Sequence, residues 1–81
     1  MNKNLKHNLE EIRFRFEDEK DYENFSDYKI KIIKLLNHYK LKNVRVIRNI
    51  YDDFIITFTN RGIKTVWRVS LNGISTQAIL N

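Results

Sequence analysis

Residues 54–69 read FIITFTNRGIKTVWRV, and this stretch indicates the fold class. Two runs rich in β-branched and aromatic residues flank Asn60-Arg61-Gly62, which predicts two strands joined by a tight turn. A loop this short forces neighbouring strands to be antiparallel. Apolar and polar side chains alternate along both runs, so one face of the sheet is expected to lie on a core and the other in water.

The strand pattern continues on both sides of this hairpin. Val44-Arg45-Val46 predicts a preceding strand, and Val46-Ile47 breaks its alternation as a bulge does. Asn72-Gly73 is the strongest hairpin signal in the chain, because a two-residue turn needs positive φ at both positions and these residue types tolerate it. Residues 74–80 are expected to return as a final strand, with a short helix capped by Ser75 as the alternative.

One helix is clear from its periodicity. Apolar residues recur at helical spacing after Ser26, and lysines occupy the rest of the circumference, which predicts an amphipathic helix over about 22–41. The stripe that is expected to contact the core consists of Ile32, Leu35, Leu36 and Tyr39.

The segment before this helix fits two structures. Residues 11–17 alternate between charged and apolar types, which predicts a strand, and Phe14 would lie on the polar side of any helix here. A competing helical stripe runs through the same segment at Leu5, Leu9, Ile12 and Phe16. With a strand at 11–17, the predicted fold is α+β: an antiparallel β-meander of four to five strands with one main amphipathic helix on one face, in the order β-α-β-β-β-β, as a single domain over 1–81.

Composition excludes several classes of protein. The chain has 81 residues, no Cys and no Pro, with 42% hydrophobic and 31% charged residues, which is ordinary for a globular domain. Without cysteine there are no disulfides, thiol nucleophiles or thiolate metal sites. No apolar run is long enough to span a bilayer, and the N-terminal residues lack the apolar core of a signal peptide. We therefore expect a cytoplasmic protein with no membrane association.

The net charge of +5 is unevenly distributed. Residues 1–28 carry five bases and eight acids, a net charge of −3, whereas residues 29–81 carry ten bases and two acids, a net charge of +8. Like charges held on regular structure repel one another, so their accumulation indicates a function such as binding a polyanion.

The basic residues of the second half are the candidate binding site. If the helix covers one sheet face, the other face presents cations and hydroxyls to water, a combination that holds phosphates without reading bases. The sequence therefore predicts a non-catalytic protein that binds DNA or RNA. The candidate residues are Arg45, Arg48, Arg61, Lys64, Arg68, Lys34 and Lys40.

The alternative is an inhibitor of a host nucleic-acid-processing enzyme, of the anti-CRISPR or anti-restriction kind. Ten Asn, eleven Ile and nine Lys fit an AT-rich coding sequence, as in a phage or plasmid of a low-GC host. In this hypothesis an acidic stretch meets a basic groove of the partner, with charge steering the encounter. The candidate contacts are Glu17, Asp18, Glu19 and Asp21. A homodimer formed through an exposed edge strand is a third possibility.

Catalytic and metal-binding motifs are absent from the sequence. His7 and His38 have no metal-ligand spacing, and Gly62 and Gly73 are better explained by turns than by a phosphate-binding loop. We therefore expect no cofactor, no metal site and no catalytic residue. One enzymatic alternative remains, a toxin-like ribonuclease that uses bases, Tyr and His on the sheet.

Overall fold

Four strands joined by short turns form one antiparallel meander, and two helices precede it. The computed structural model describes residues 2–19 and 24–80. Strand order across the sheet is β1-β2-β3-β4, so every neighbour in space is also a neighbour in sequence. The predicted α+β class with a helix-covered meander is confirmed. The elements are α1 (Asn2–Glu19), α2 (Phe25–His38), β1 (Lys42–Arg48), β2 (Phe54–Asn60), β3 (Ile63–Ser70) and β4 (Gly73–Leu80).

The predicted strand at 11–17 is wrong, because these residues belong to α1. Leu5, Leu9 and Phe16 lie on one side of this helix and are all buried, as the competing helical stripe requires. Phe14, which favoured the strand, points away from the core and is 53% exposed. The element order is therefore α-α-β-β-β-β, with two helices over the sheet instead of a strand and one helix.

The second helix confirms the amphipathic prediction and ends at His38 instead of the predicted residue 41, while residues 22 and 23 of the predicted range lie outside the described residues. It ends in a Schellman motif, in which Lys40 N–H donates to Asn37 O at 2.9 Å and Leu41 N–H donates to Leu36 O at 3.1 Å. Lys40 has the left-handed conformation that this motif requires, with φ of 64°. Leu41 is buried beside Leu36, so the turn also closes the end of the core.

The hairpin turns differ in detail from the predicted ones. Arg61 and Gly62 have φ of 53° and 80°, so the two-residue turn with positive φ at both positions lies between β2 and β3. The β3–β4 turn residues are Leu71 and Asn72, and Gly73, with φ of 118°, begins β4. The predicted Asn72-Gly73 loop is therefore displaced by one residue, while the final strand itself is confirmed. The bulge in β1 lies between Lys42 and Arg45 rather than at Val46-Ile47.

The core lies between the helices and one face of the sheet. Phe16 of α1 is at its centre, with ring centroids 4.9 Å from Tyr28 of α2 and 5.3 Å from Phe54 of β2. Trp67 of β3 lies on the same face, in an edge contact with Phe58 at 4.7 Å. Trp67 is thus a packing residue on the helix-covered face, and the opposite face carries a different set of side chains. Neither described helix has both the length and the apolar character needed to cross a membrane.

Candidate functional site

Strand register places three of the candidate residues, Arg45, Lys64 and Arg68, on the sheet face that neither described helix covers, which we call the open face. Residues paired across an antiparallel sheet point to the same side, so the pairings define rows of side chains on this face. The first row is Lys42, Thr59, Lys64 and Leu80; the second is Arg45, Thr57, Val66 and Ala78; the third is Ile47, Ile55, Arg68 and Ser75.

Three cations gather at one end of the open face. Lys42 and Lys64 flank Thr59 in the first row, and Arg45 lies beside Thr57 in the second. Strand spacing of about 4.8 Å puts the Cα atoms of Lys42 and Lys64 about 10 Å apart. All three basic side chains are exposed, and none has an ion-pair partner among the described residues. We call this cluster of Lys42, Arg45, Lys64, Thr57 and Thr59 the basic corner.

The basic corner surrounds a shallow depression of about 630 Å³ that is lined by sheet residues alone. Asn43 sits at the β1 bulge with φ of 54°, and its side-chain amide donates to the Thr59 hydroxyl at 3.5 Å. The depression is therefore lined by two cations, Arg45 and Lys64, together with hydroxyl and amide groups, and Lys42 lies beside Thr59 in the first row. The four strands contain five basic residues and no acidic one, so no strand residue opposes these charges.

Arg68 reaches the open face but is held by an internal ion pair. Its Nη2 lies 2.9 Å from Asp53 Oδ2, and its Nε donates to the same oxygen at 3.0 Å. Asp53 is buried, and its other oxygen, Oδ1, lies 3.4 Å from Nε of Arg13 on α1. Arg68 is therefore part of a structural network that connects the sheet to α1, and its charge is partly neutralised.

The remaining predicted bases lie elsewhere. Arg48 points to the helix-covered side, with its guanidinium 5.2 Å from the Phe25 ring and 3.5 Å from Asp52. Lys34 is exposed on α2, and Lys40 is in the turn that ends this helix. Arg61 is in the β2–β3 turn, at the end of the sheet that carries the basic corner. The structure thus brings together Arg45 and Lys64, with Arg68 in the next row.

The acidic candidates are largely engaged within the molecule. Glu17 accepts a hydrogen bond from Arg13 at 3.2 Å, and Glu19 accepts one from the Tyr28 hydroxyl. Asp18 is exposed on α1, and Asp21 lies outside the described residues. Of this group, Asp18 is the exposed residue that makes no hydrogen bond or ion pair with the other described residues.

Outside the basic corner, the open face is aliphatic except for Arg68 and Ser75. Ile47 is 60% exposed and pairs with the half-buried Ile55, while Ala78 and the exposed Leu80 line β4. Neither Tyr39 nor Tyr51, on which an unpaired base could stack, lies in the rows of the open face; exposed Tyr51 is in the β1–β2 loop at the opposite end of the sheet from the basic corner. The site therefore offers charge and hydroxyls without an aromatic platform.

Metal ligation has no candidate cluster in the part of the chain that the structure describes, where no three His, Asp or Glu side chains lie close enough together. His7 lies 3.0 Å from Glu11 on the exposed side of α1, and His38 makes an edge contact with Tyr39. The two imidazoles are thus on different helices and outside the basic corner.

Comparisons of the chain with protein families, with curated proteins and with solved structures find no match.

Sequence reasoning missed two features of this region. Lys42 was not predicted because the strand was expected to begin at Val44, and the bulge places Lys42 and Arg45 on the same face despite their odd spacing. The Arg13–Asp53 contact joins residues 40 positions apart and leaves no local signal. The absence of acids from the strands predicted after Asn43 is the signal that was available for the basic corner.

Proposed function

We propose that this protein is a non-catalytic nucleic-acid-binding protein that holds the phosphate backbone in its basic corner. The observation that supports this function is the cluster of Lys42, Arg45 and Lys64 around Thr57 and Thr59, on strands that contain no acidic residue. Cations and hydroxyls on a rigid sheet are the groups that proteins use to position phosphates.

The chemistry of the corner favours the backbone over the bases. Arg45 provides a planar donor fork that suits a phosphate, and the lysines provide point charges on flexible stems. The threonine hydroxyls between them add neutral donors. Because the open-face rows contain no aromatic side chain on which an unpaired base could stack, we expect duplex DNA or structured RNA to bind with little sequence preference.

The direct test is fluorescence anisotropy at low salt with a labelled DNA duplex, a single strand and an RNA hairpin. The test variant is Arg45→Gln/Lys64→Gln. Its matched control is Arg15→Gln/Lys31→Gln, which removes the same charge from the groove between the two helices. We expect the test variant to bind the duplex at least about tenfold more weakly, from the loss of two charge-assisted contacts, and the control to bind nearly as wild type. No affinity of the wild type for any of the three probes would contradict the proposal.

A protein partner, such as a host nucleic-acid-processing enzyme, is the second candidate. Exposed apolar side chains at the other end of β1 favour it, namely Ile47, Ile50 and Tyr51, since such groups are common at protein interfaces. Charge reversal of the whole acidic stretch would change the stability of the fold as well as binding, because Glu17 and Glu19 have internal partners. Asp18→Lys is the cleaner probe: it should weaken capture of a basic partner and slightly strengthen nucleic-acid binding.

A further inference from the structure

The two edges of the sheet are unequal. β1 at one edge carries Lys42, Arg45 and Arg48, contains a bulge, and has α2 packed along it. Charges, bulges and covering elements are the devices by which proteins prevent an edge strand from pairing with another chain. β1 is therefore a protected edge.

The other edge lacks most of these devices. β4 reads GISTQAIL, with no charged residue and no proline over its eight residues. Most of its residues are exposed, and Ile79 and Leu80 are 62% and 51% exposed. Its one irregularity is a bulge at Gln77, where Val66 pairs with Ala78 and Trp67 pairs with Thr76. An uncharged edge of this length presents backbone donors and acceptors that a further strand would satisfy.

We propose that β4 pairs with β4 of a second copy of this chain, joining two meanders into one eight-stranded sheet. Antiparallel pairing of identical strands is generated by a twofold axis, so the interface is self-complementary. Self-pairing of β4 brings no like charges together, whereas self-pairing of β1 would oppose its three basic residues. This inference does not depend on the proposed nucleic-acid function.

The bulge at Gln77 specifies the register of the pair. Ser75 and Ala78 point to the open face, and Ile74 and Ile79 point to the helix-covered face. When the twofold axis is perpendicular to the sheet, each residue must oppose one that points to the same side. Residues 74 and 79 are an odd number of positions apart, so in a regular strand they would point to opposite faces. They share a face because the bulge shifts the alternation.

The register that satisfies this condition along the strand places Ile74 opposite Ile79 of the second copy, and Ser75 opposite Ala78. Gly73 then opposes Leu80, and the two bulges lie at the twofold axis. Ile79 would thus be covered by Ile74 of the second copy, a residue that packs against the core of its own chain. Both open faces lie on the same side of the joined sheet.

Sedimentation equilibrium tests the proposal with two matched variants on opposite edges. Ile79→Lys places a charge on the β4 edge, and Ile47→Lys places one on β1 at a residue of nearly equal exposure. We expect the wild type and Ile47→Lys to be dimers and Ile79→Lys to have half their mass, with circular dichroism showing that each variant is folded. A wild type that stays monomeric at all concentrations, with β4 left for a strand of another protein, would overturn the proposal. Dissociation by Ile47→Lys alone would do the same.

Disulfide trapping tests the register, because the chain has no cysteine of its own. Directly opposed residues in antiparallel strands have Cα atoms about 4.5–5.5 Å apart, within the range of about 4.4–6.8 Å for disulfides. A mixture of Ser75→Cys and Ala78→Cys chains should therefore form the mixed disulfide in preference to either homodisulfide. Predominance of homodisulfides would overturn this register, and the absence of any crosslink would overturn the dimer.

Discussion

Arg13 of α1 and Asp53 at the start of β2 form a buried contact, with 3.4 Å between Arg13 Nε and Asp53 Oδ1. Arg13 is 2% exposed, and its guanidinium lies about 6 Å from the ring centroids of Phe16 and Phe54. Its Nη1 is buried and has no hydrogen-bond partner among the described residues. Asp53 therefore compensates this buried cation together with the partly exposed Glu17, and the Arg13–Asp53 pair connects the first helix to the sheet.

Asp53→Asn should be strongly destabilising. The substitution preserves the shape of the side chain but removes the buried charge that opposes Arg13 and leaves Arg13 with the partly exposed Glu17. The loss of one partner of a buried pair typically costs about 3–5 kcal/mol. That is a large part of the roughly 4–12 kcal/mol expected for a chain of this size. Urea unfolding followed by Trp67 fluorescence and circular dichroism measures the change in the free energy of unfolding.

Asp52→Asn is the matched control for this variant. Asp52 pairs with Arg48 at 3.5 Å, and both side chains are about one third exposed, so the pair contributes little, on the order of 0–1 kcal/mol. Arg13→Met should lie between the two variants, because Asp53 then keeps Arg68 as its partner. Equal losses for Asp53→Asn and Asp52→Asn would refute the role assigned to the buried pair.

Lys40→Gly should stabilise the protein. Lys40 occupies the left-handed position of the Schellman motif, with φ of 64°, where a side chain is unfavourable and glycine is preferred. We expect a gain of about 0.5–1 kcal/mol in the free energy of unfolding, measured by thermal denaturation. Lys34→Gly removes the same charge inside α2 and should instead cost about 1 kcal/mol. A loss of stability in both variants would show that the left-handed conformation of Lys40 does not lower the free energy of unfolding.

Gly62→Ala should be destabilising for reasons of backbone conformation alone. A Cβ at this position meets no heavy atom within 4 Å, yet φ is +80°. The expected cost is about 1 kcal/mol, from the left-handed strain of a residue that carries a side chain. Arg61→Asn, at the other left-handed position of the same turn, should be neutral or slightly stabilising, since Asn tolerates this region. An unchanged melting temperature for Gly62→Ala would argue against this turn geometry.

The sheet follows from the sequence because its signals are local. Composition of β-branched residues, period-two alternation and short turn segments lie within a few residues of one another, and they specify an antiparallel meander without knowledge of the rest of the chain. The errors within these strands are shifts of a few residues, as at Asn72-Gly73, where the turn and the first strand residue compete for the glycine, and at the β1 bulge.

The first helix does not follow from the sequence, because residues 12–16 satisfy two periods at once. Phe14 is apolar and exposed, whereas Arg13 is charged and buried. Neither side chain therefore lies in the environment that its chemical type predicts. Arg13 is buried because Asp53 is close in space but distant in sequence. A local sequence pattern cannot show that Arg13 and Asp53 are close in space. For the same reason, it cannot show that Arg68 is an internal partner of Asp53.

The basic corner could be predicted from the sequence only in part. Alternation alone places Lys64 and Arg45 on the open face, so this part of the site is predictable. Lys42 can be assigned to the basic corner only when the position of the β1 bulge is known. Arg48 can be excluded from it only when the pairing of β1 with Phe54 is known. The corner is therefore smaller and more localised than a count of basic residues indicates.

Salt dependence of duplex binding is the most direct test of the account. Each phosphate contact contributes about 0.9 to the slope of log Kobs against log salt concentration, so loss of Arg45 and Lys64 as contacts should reduce the magnitude of the slope by about 1.8. We predict this reduction for Arg45→Gln/Lys64→Gln and an unchanged slope for Arg15→Gln/Lys31→Gln. Equal slopes for the two double variants would contradict a phosphate-binding site on the open face.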